Sequence, residues 1–304
     1  MRNLIQQALN CQNMQKQPKN QTQVIEELRP GQSIELLKEL HVLTREGKLN
    51  QDTRRKLKQV YHLYQFIEPL LEGAIKVDAA FTLADHGAGK SYLGFILYDL
   101  FFNVAKQGKT MTGHIYGIEN RPELVEKSRA LSVRLGFERM SFLNLSVKES
   151  ATSTELPDRI DIVTALHACD TATDDAIAFG LAKQAQHMVL VPCCQAEVAG
   201  ILKKSKALNL SRTPLAELWR HPLHTREFGS QITNVLRCLQ LEANGYDVTV
   251  TELVGWEHSM KNELILASKP KVMTSAKASA AQVRLQQLLD ELGLAELQSR
   301  FADQ

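Results

Sequence analysis

The sequence predicts an α/β fold with a mostly parallel seven-stranded sheet, an antiparallel last strand, an N-terminal helical region and a C-terminal helix. Three observations predict it. From Ala79 onward, short apolar runs alternate with amphipathic stretches of helical period, the pattern of βαβ units. A glycine-rich turn follows the first of these runs and opens a helix. The last two runs stand too close together to enclose a crossover helix, so they pair antiparallel.

The elements follow in order. Residues 1–23 are rich in Gln and Asn, and a loosely ordered segment is expected. Residues 24–75 read as a helical region. Ile34, Leu36, Leu37, Leu40 and Val42 give one apolar stripe; Leu57, Val60, Tyr61, Leu63, Tyr64 and Ile67 give another, with Gly47 between them. Residues 76–270 form the α/β domain. Its strands are predicted at 79–84, 113–119, 140–145, 159–166, 187–193, 246–254 and 262–269. Helices are predicted at 92–105, 123–136 (closed by Gly136), 172–183 and about 231–244. Residues 271–304 are a small-residue linker and a helix with its stripe at Leu285, Leu288, Leu289 and Leu292, which is expected to pack on the domain.

Composition excludes several classes. At 304 residues, 44% hydrophobic and 23% charged, the chain reads as an ordinary soluble protein. A net charge of +2 permits a nucleic-acid partner without demanding one. The five cysteines, Cys11, Cys169, Cys193, Cys194 and Cys238, have no disulfide-framework spacing and read as reduced thiols. No signal peptide and no membrane-length apolar run are seen, so a cytoplasmic protein with no membrane partner is expected.

The sharpest local signal is LADHGAGKSYLG, residues 83–94. Rossmann-like folds bind their cofactors at the carboxyl ends of the strands, where this turn lies. Gly87 and Gly89, with Ala88 between them, let a ligand approach the main chain. Asp85 stands at the strand end. Gly89-Lys90-Ser91 also ends a Walker A turn, but that motif needs glycine at position 84, where this chain has Ala84. A dinucleotide fingerprint needs a third glycine where Tyr92 stands. The next strand ends in Glu119 and Asn120. An acid there accepts hydrogen bonds from ribose hydroxyls, or it caps the helix that Pro122 opens.

These motifs resemble class I S-adenosylmethionine-dependent methyltransferases. DHGAGKSYLGFIL is similar to their first motif, with Lys90 in place of its third glycine; GIENRPELVEKS is similar to the second. The resemblance implies S-adenosylmethionine as cofactor and Glu119 on its ribose. It implies Asn144 and Ser146, after the third strand, near the adenine; Leu166 at the fourth strand end completes the cofactor set. ALHACDTATDDAI (165–177) and VPCCQAE (191–197) resemble a narrower group, which includes tRNA 2′-O-methyltransferases and the methyltransferase part of proteins with a glutathione-transferase C-terminal domain. EHSMKNELILASK (257–269) resembles that group's ending. The resemblance covers about residues 79–269.

Methyl transfer mainly asks the protein to position an acceptor and remove its proton. His167 is the expected base. Asp170 orients it, or caps the helix starting at Ala172. Zinc is not expected, because adjacent Cys193 and Cys194 lack ligand spacing. Cys194 is placed on the substrate side. The segment 220–231 reads as an insertion over the acceptor, with His224 and Arg226 toward an anionic substrate. Glu257, His258, Lys261 and Asn262 form a second polar cluster near that edge. The acceptor implied is RNA, tRNA among the candidates. A protein or small-molecule acceptor, or a non-catalytic cofactor-binding module, stays open.

Overall fold

The computed structural model describes residues 27–78, 80–104, 112–166, 168, 170–192, 195–205, 212–253, 263–272 and 275–302. The chain divides into two compact units, Met1–Pro30 and Gly31–Gln304. The described residues of the first, 27–30, form turns and bends.

The second unit opens with α1 (Ile34–Glu39) and α2 (Gln51–Asp78). The sheet strands are β1 (Thr82–His86), β2 (His114–Glu119), β3 (Met140–Asn144), β4 (Ile162–Leu166), β5 (His187–Val191), β6 (Asp247–Glu252) and β7 (Glu263–Ser268). Their order is β3-β2-β1-β4-β5-β7-β6. The first five strands run parallel, and β7 pairs antiparallel with both β5 and β6. This is the predicted sheet. Parallel register aligns the strand ends: Glu119 stands opposite Asn144, and Asp85 lies between Gly117 and Thr164.

The helices between strands are α3 (Tyr92–Tyr98), α4 (Pro122–Leu135), α5 (Val147–Thr152), α6 (Ala172–Ala182), α7 (Glu197–Ser205) and α8 (Pro222–Ala243). A C-terminal α9 (Ser275–Leu292) follows, then a short α10 (Gln298–Phe301). Gly136 closes α4 in the left-handed conformation, φ 68°, as its position predicted.

Three readings need correction. The break expected around Gly47 is wider than its glycine suggests, spanning residues 40–50, so Leu40 and Val42 of the first stripe lie outside α1, and α2 runs on to Asp78. The helix predicted at 92–105 is α-helical only to Tyr98. Residues Asp99–Val104 continue it as a π-helix, in which Phe101 and Phe102 pack edge-on against each other beside Phe81. The segment 220–231, read as an insertion ahead of a helix at about 231, is itself helical from Pro222. Pro222 occupies the first helical position of α8, where its missing N–H costs nothing, and the helix is unbroken to Ala243.

Among the described residues, two apolar clusters involve α6 to α10. On one face of the sheet, Ile177 and Phe179 of α6 meet Met188, Leu190 and Ile265. Outside them, Leu285, Leu289 and Leu292 of α9 share a cluster with Leu236 of α8, Leu202 of α7 and Phe301. The predicted C-terminal stripe therefore packs on the domain. Gly229 lets α7 and α8 close, since a Cβ there would lie 2.6 Å from the Ala199 Cα. Leu289 is fully buried in this cluster. Leu289→Ala is expected to cost about 2–5 kcal/mol, read as a lowered urea midpoint at unchanged slope. A midpoint equal to wild type would contradict this packing.

Candidate functional site

The alternation of β1 sends two polar side chains to opposite faces at its carboxyl end. Asp85, 2% exposed, accepts a hydrogen bond from the Thr164 hydroxyl at 2.9 Å. Burial pushes its carboxyl up to about 7, against the pull of Thr164 and the Gly94 backbone. His86 lies beside the Phe179 ring, with centroids 5.3 Å apart. Neither of its ring nitrogens has a partner among the described residues. Burial lowers its pKa to about 4, so the imidazole is neutral at physiological pH.

The chain then turns. Gly87 and Gly89 take φ 68° and 59°, the conformations that favour glycine. The Ala88 N–H bonds the Ile118 carbonyl at 3.0 Å, which pins the turn to β2. The Gly89 N–H donates to Glu119 Oε2 at 2.8 Å. Glu119 also accepts the Arg121 backbone N–H at 3.1 Å, its Nε at 2.8 Å and its Nη2 at 3.1 Å. Burial opposes the charge on Glu119, but the Arg121 fork and the two backbone donors outweigh it and hold the carboxyl below its ordinary range. The acid thus braces the turn and also meets the entry to α4, whose N-cap, Arg121, makes no side-chain cap bond. Asn144 donates from Nδ2 to the Glu119 carbonyl at 3.0 Å, tying β3 to β2. Ser146 caps α5 in a reciprocal box with Glu149, and Asn120 is exposed.

Beside Asp85 lies a cavity of about 170 Å³, lined by Asp85, Ala88 and Leu166 from the strand ends and by Lys56, Gln59 and Val60 from α2. Sequence reasoning missed this role of α2. The three residues share a helix face at i, i+3 and i+4 spacing, but only tertiary packing shows that this face meets the carboxyl ends of β1 and β4.

A second network gathers the loops after β4 and β5. Asp170 takes φ 52°. It does not cap α6, whose N-cap is Thr171 without a side-chain bond. Its Oδ1 instead accepts the Ala196 N–H at 3.2 Å, and its carbonyl accepts Arg237 Nη2 at 2.8 Å. Arg237, fully buried, also donates to Asp174 at 2.5 Å and to Asn234 at 3.1 Å. Asn234 accepts from Gln195 at 2.7 Å and donates to Glu263 at 2.6 Å. Arg237 was also missed. Its signal was a cation on the same face of α8 as Thr233, Leu236 and Gln240, a placement that requires buried partners.

The remaining predicted residues divide in two. His224 and Arg226 are exposed in the first turns of α8, and Arg226 pairs with Glu227 at 2.9 Å. Neither lines the cavity beside Asp85. His167, Cys194, Glu257, His258, Lys261 and Asn262 lie outside the described residues.

Residues 55–200 match a family model described as a methyltransferase domain. That stretch, just under half of the chain, resembles a methyltransferase domain. No curated protein matches it. Among solved structures, it is similar to a Methanococcus jannaschii fibrillarin pre-rRNA processing protein at 10% identity and TM-score 0.40, covering 62% of this chain and 66% of that one. It is similar to magnesium protoporphyrin IX methyltransferase from Synechocystis at 13% identity and TM-score 0.42, covering 77% and 94%. An rRNA methylase from Streptococcus thermophilus follows at 9% identity and TM-score 0.37, covering 63% and 88%. Among the described residues, no helix is long and apolar enough to cross a membrane.

The cofactor of such enzymes, S-adenosylmethionine, fits the acceptors present. A desolvated acid, Asp85, suits its ammonium group, and a strand-end acid, Glu119, suits a ribose. Yet the acceptor positions of Glu119 are already filled, and Arg121, 58% exposed, is the partner that can leave. An exposed ion pair is worth about 0.2–1 kcal/mol. Arg121→Ala should therefore tighten S-adenosylmethionine binding by about two- to fivefold, measured by calorimetry. Weaker binding in this variant would mean that Arg121 contacts the cofactor rather than competing with it.

Proposed function

We propose that this domain transfers the methyl group of S-adenosylmethionine to RNA. The observation that carries the cofactor assignment is the pair of acids at adjacent strand ends, Asp85 and Glu119, flanking a glycine turn beside a cavity. Asp85 faces the ammonium group of the cofactor and Glu119 its ribose. Gly87, Ala88 and Gly89 leave room against the main chain, Asn144 and Ser146 are assigned to the adenine, and Asn120 and Leu166 complete the cofactor set. When bound, the cofactor supplies a methyl group on a cationic sulfur, open to in-line attack by an acceptor oxygen or nitrogen.

The acceptor reading rests on the stretches at 165–177 and 191–197 and their resemblance to RNA 2′-O-methyltransferases. His167 takes the acceptor proton. Asp170 acts by position, since its carboxylate reaches the loop after β5 and its carbonyl is held by Arg237. Cys194, His224, Arg226, Glu257, His258, Lys261 and Asn262 are assigned to the acceptor side. His167→Ala is expected to spare cofactor binding and abolish most turnover. The test is transfer of tritiated methyl to total RNA and total protein. Label in RNA supports the reading, label in protein alone ends it, and no label despite cofactor binding assigns a non-catalytic module.

Asp85 gives a pH prediction. With its pKa raised to about 7, the free protein holds the carboxyl protonated below that pH. An arriving ammonium group favours the ionised form, so binding near neutrality releases a proton. Affinity should therefore rise as pH passes upward through 7 and then level off. Asp85→Asn should flatten that profile and lower affinity at pH 8. Calorimetry in buffers of different ionisation enthalpy measures the proton. No proton release would remove Asp85 from the ammonium site.

A further inference from the structure

A larger cavity, about 370 Å³, lies between α4 and the turn after α1, and no step proposed above uses it. Its walls are of two kinds. Leu124 and Leu131 of α4 and the ring of Tyr92 give it an apolar side. Lys90, Lys127 and His41 give it a basic one. The single carboxylate lining it, Glu39, is taken up by Arg134 at 2.8 Å. Lys90 and Lys127 have no ion-pair partner among the described residues. The Tyr92 hydroxyl is buried without a partner among them.

We propose that this groove binds a nucleoside phosphate, its phosphate held by Lys90 and Lys127 and its nucleoside against Tyr92, Leu124 and Leu131. Two uncompensated ammonium groups select an anion, and lysine binds phosphate as a point charge. The apolar and aromatic wall offers a stacking surface to a base. The volume falls at the low end of small-molecule sites, roughly 300–1,000 Å³. S-adenosylmethionine itself is a poor occupant, because its sulfonium would face like charges and it carries no phosphate. Tyr92 also lines the cavity beside Asp85, and Lys90 directly follows Gly89, so the two sites share a wall. The ligand is either a nucleotide of an RNA strand or a free mononucleotide. The strand form extends the RNA reading above and rests on it; the mononucleotide form does not.

The test titrates the full chain, with and without S-adenosylhomocysteine, with adenosine 5′-monophosphate, adenosine and a ten-nucleotide RNA. Binding of the monophosphate or the RNA is expected, with adenosine at least about tenfold weaker. RNA binding without monophosphate binding assigns the strand form, and the converse assigns the mononucleotide. Lys127→Glu should weaken the phosphate ligand at least about tenfold, and Lys127→Arg should retain it. Both variants should keep wild-type cofactor affinity, which also reports that they are folded. The proposal is overturned if neither phosphate probe binds at millimolar concentration, or if Lys127→Glu binds as wild type does. Loss of S-adenosylhomocysteine binding by the wild-type chain would sink the cofactor reading instead, and the cofactor-free titration still decides the groove.

Discussion

The Glu119 carboxylate, accepting the Gly89 N–H, joins the first strand's turn to the second strand's end. Much of the site depends on it. A tight turn through two positive-φ glycines leaves backbone donors pointing out of the loop, and a buried donor without a partner is costly. Parallel pairing of β1 and β2 delivers the one acid at the right level to meet them. The same carboxylate draws in Arg121, so in the free protein its charge is compensated from two sides. The Arg121 fork stands where ribose hydroxyls would compete.

Among the loops after β4 and β5, Arg237 plays a comparable part. Its guanidinium reaches α6 through Asp174, the β4 loop through the Asp170 carbonyl, and Asn234 on its own helix. Buried ion pairs add little net stability over apolar packing, but breaking one is costly. What the pair contributes is placement. It holds Asp170 at φ 52°, outside the regions most residues adopt, and frees the carboxylate to reach Ala196 rather than cap its helix.

Sequence periodicity exposed the sheet because parallel strands are buried on both faces and read as continuous apolar runs. The missed features lie where local pattern and tertiary context part. Pro222 and its polar neighbours look like a loop, yet a proline at the first helical turn is compatible with a helix. Short α5 and α7 lacked enough turns to display a period. The π-helical stretch after Tyr98 keeps the same apolar content as an α-helix, so composition cannot distinguish them. Glu119 was legible as an acid at a strand end beside the glycine turn, and it does accept the Gly89 N–H of that turn. Arg121, two residues on, was not, since an exposed arginine at a helix start has many.

The neighbours Asp85 and His86 tell what kind of interior the site has. They sit on opposite faces of one strand, and burial drives each toward its neutral form, the acid upward to about 7 and the imidazole downward to about 4. Folding therefore opposes their charged forms from both directions: His86 costs stability as pH falls from about 6.5 toward 4, and Asp85 costs it as pH rises from about 4 toward 7. Packing alone would favour apolar residues at both positions. A buried acid ready to ionise is useful where a cation is to be recognised in a dry pocket, because low local polarity that makes the lone charge costly also strengthens its attraction to a partner. Helix α2 brings Gln59 and Val60 to the carboxyl ends of the central strands β1 and β4, where they line the cavity beside Asp85.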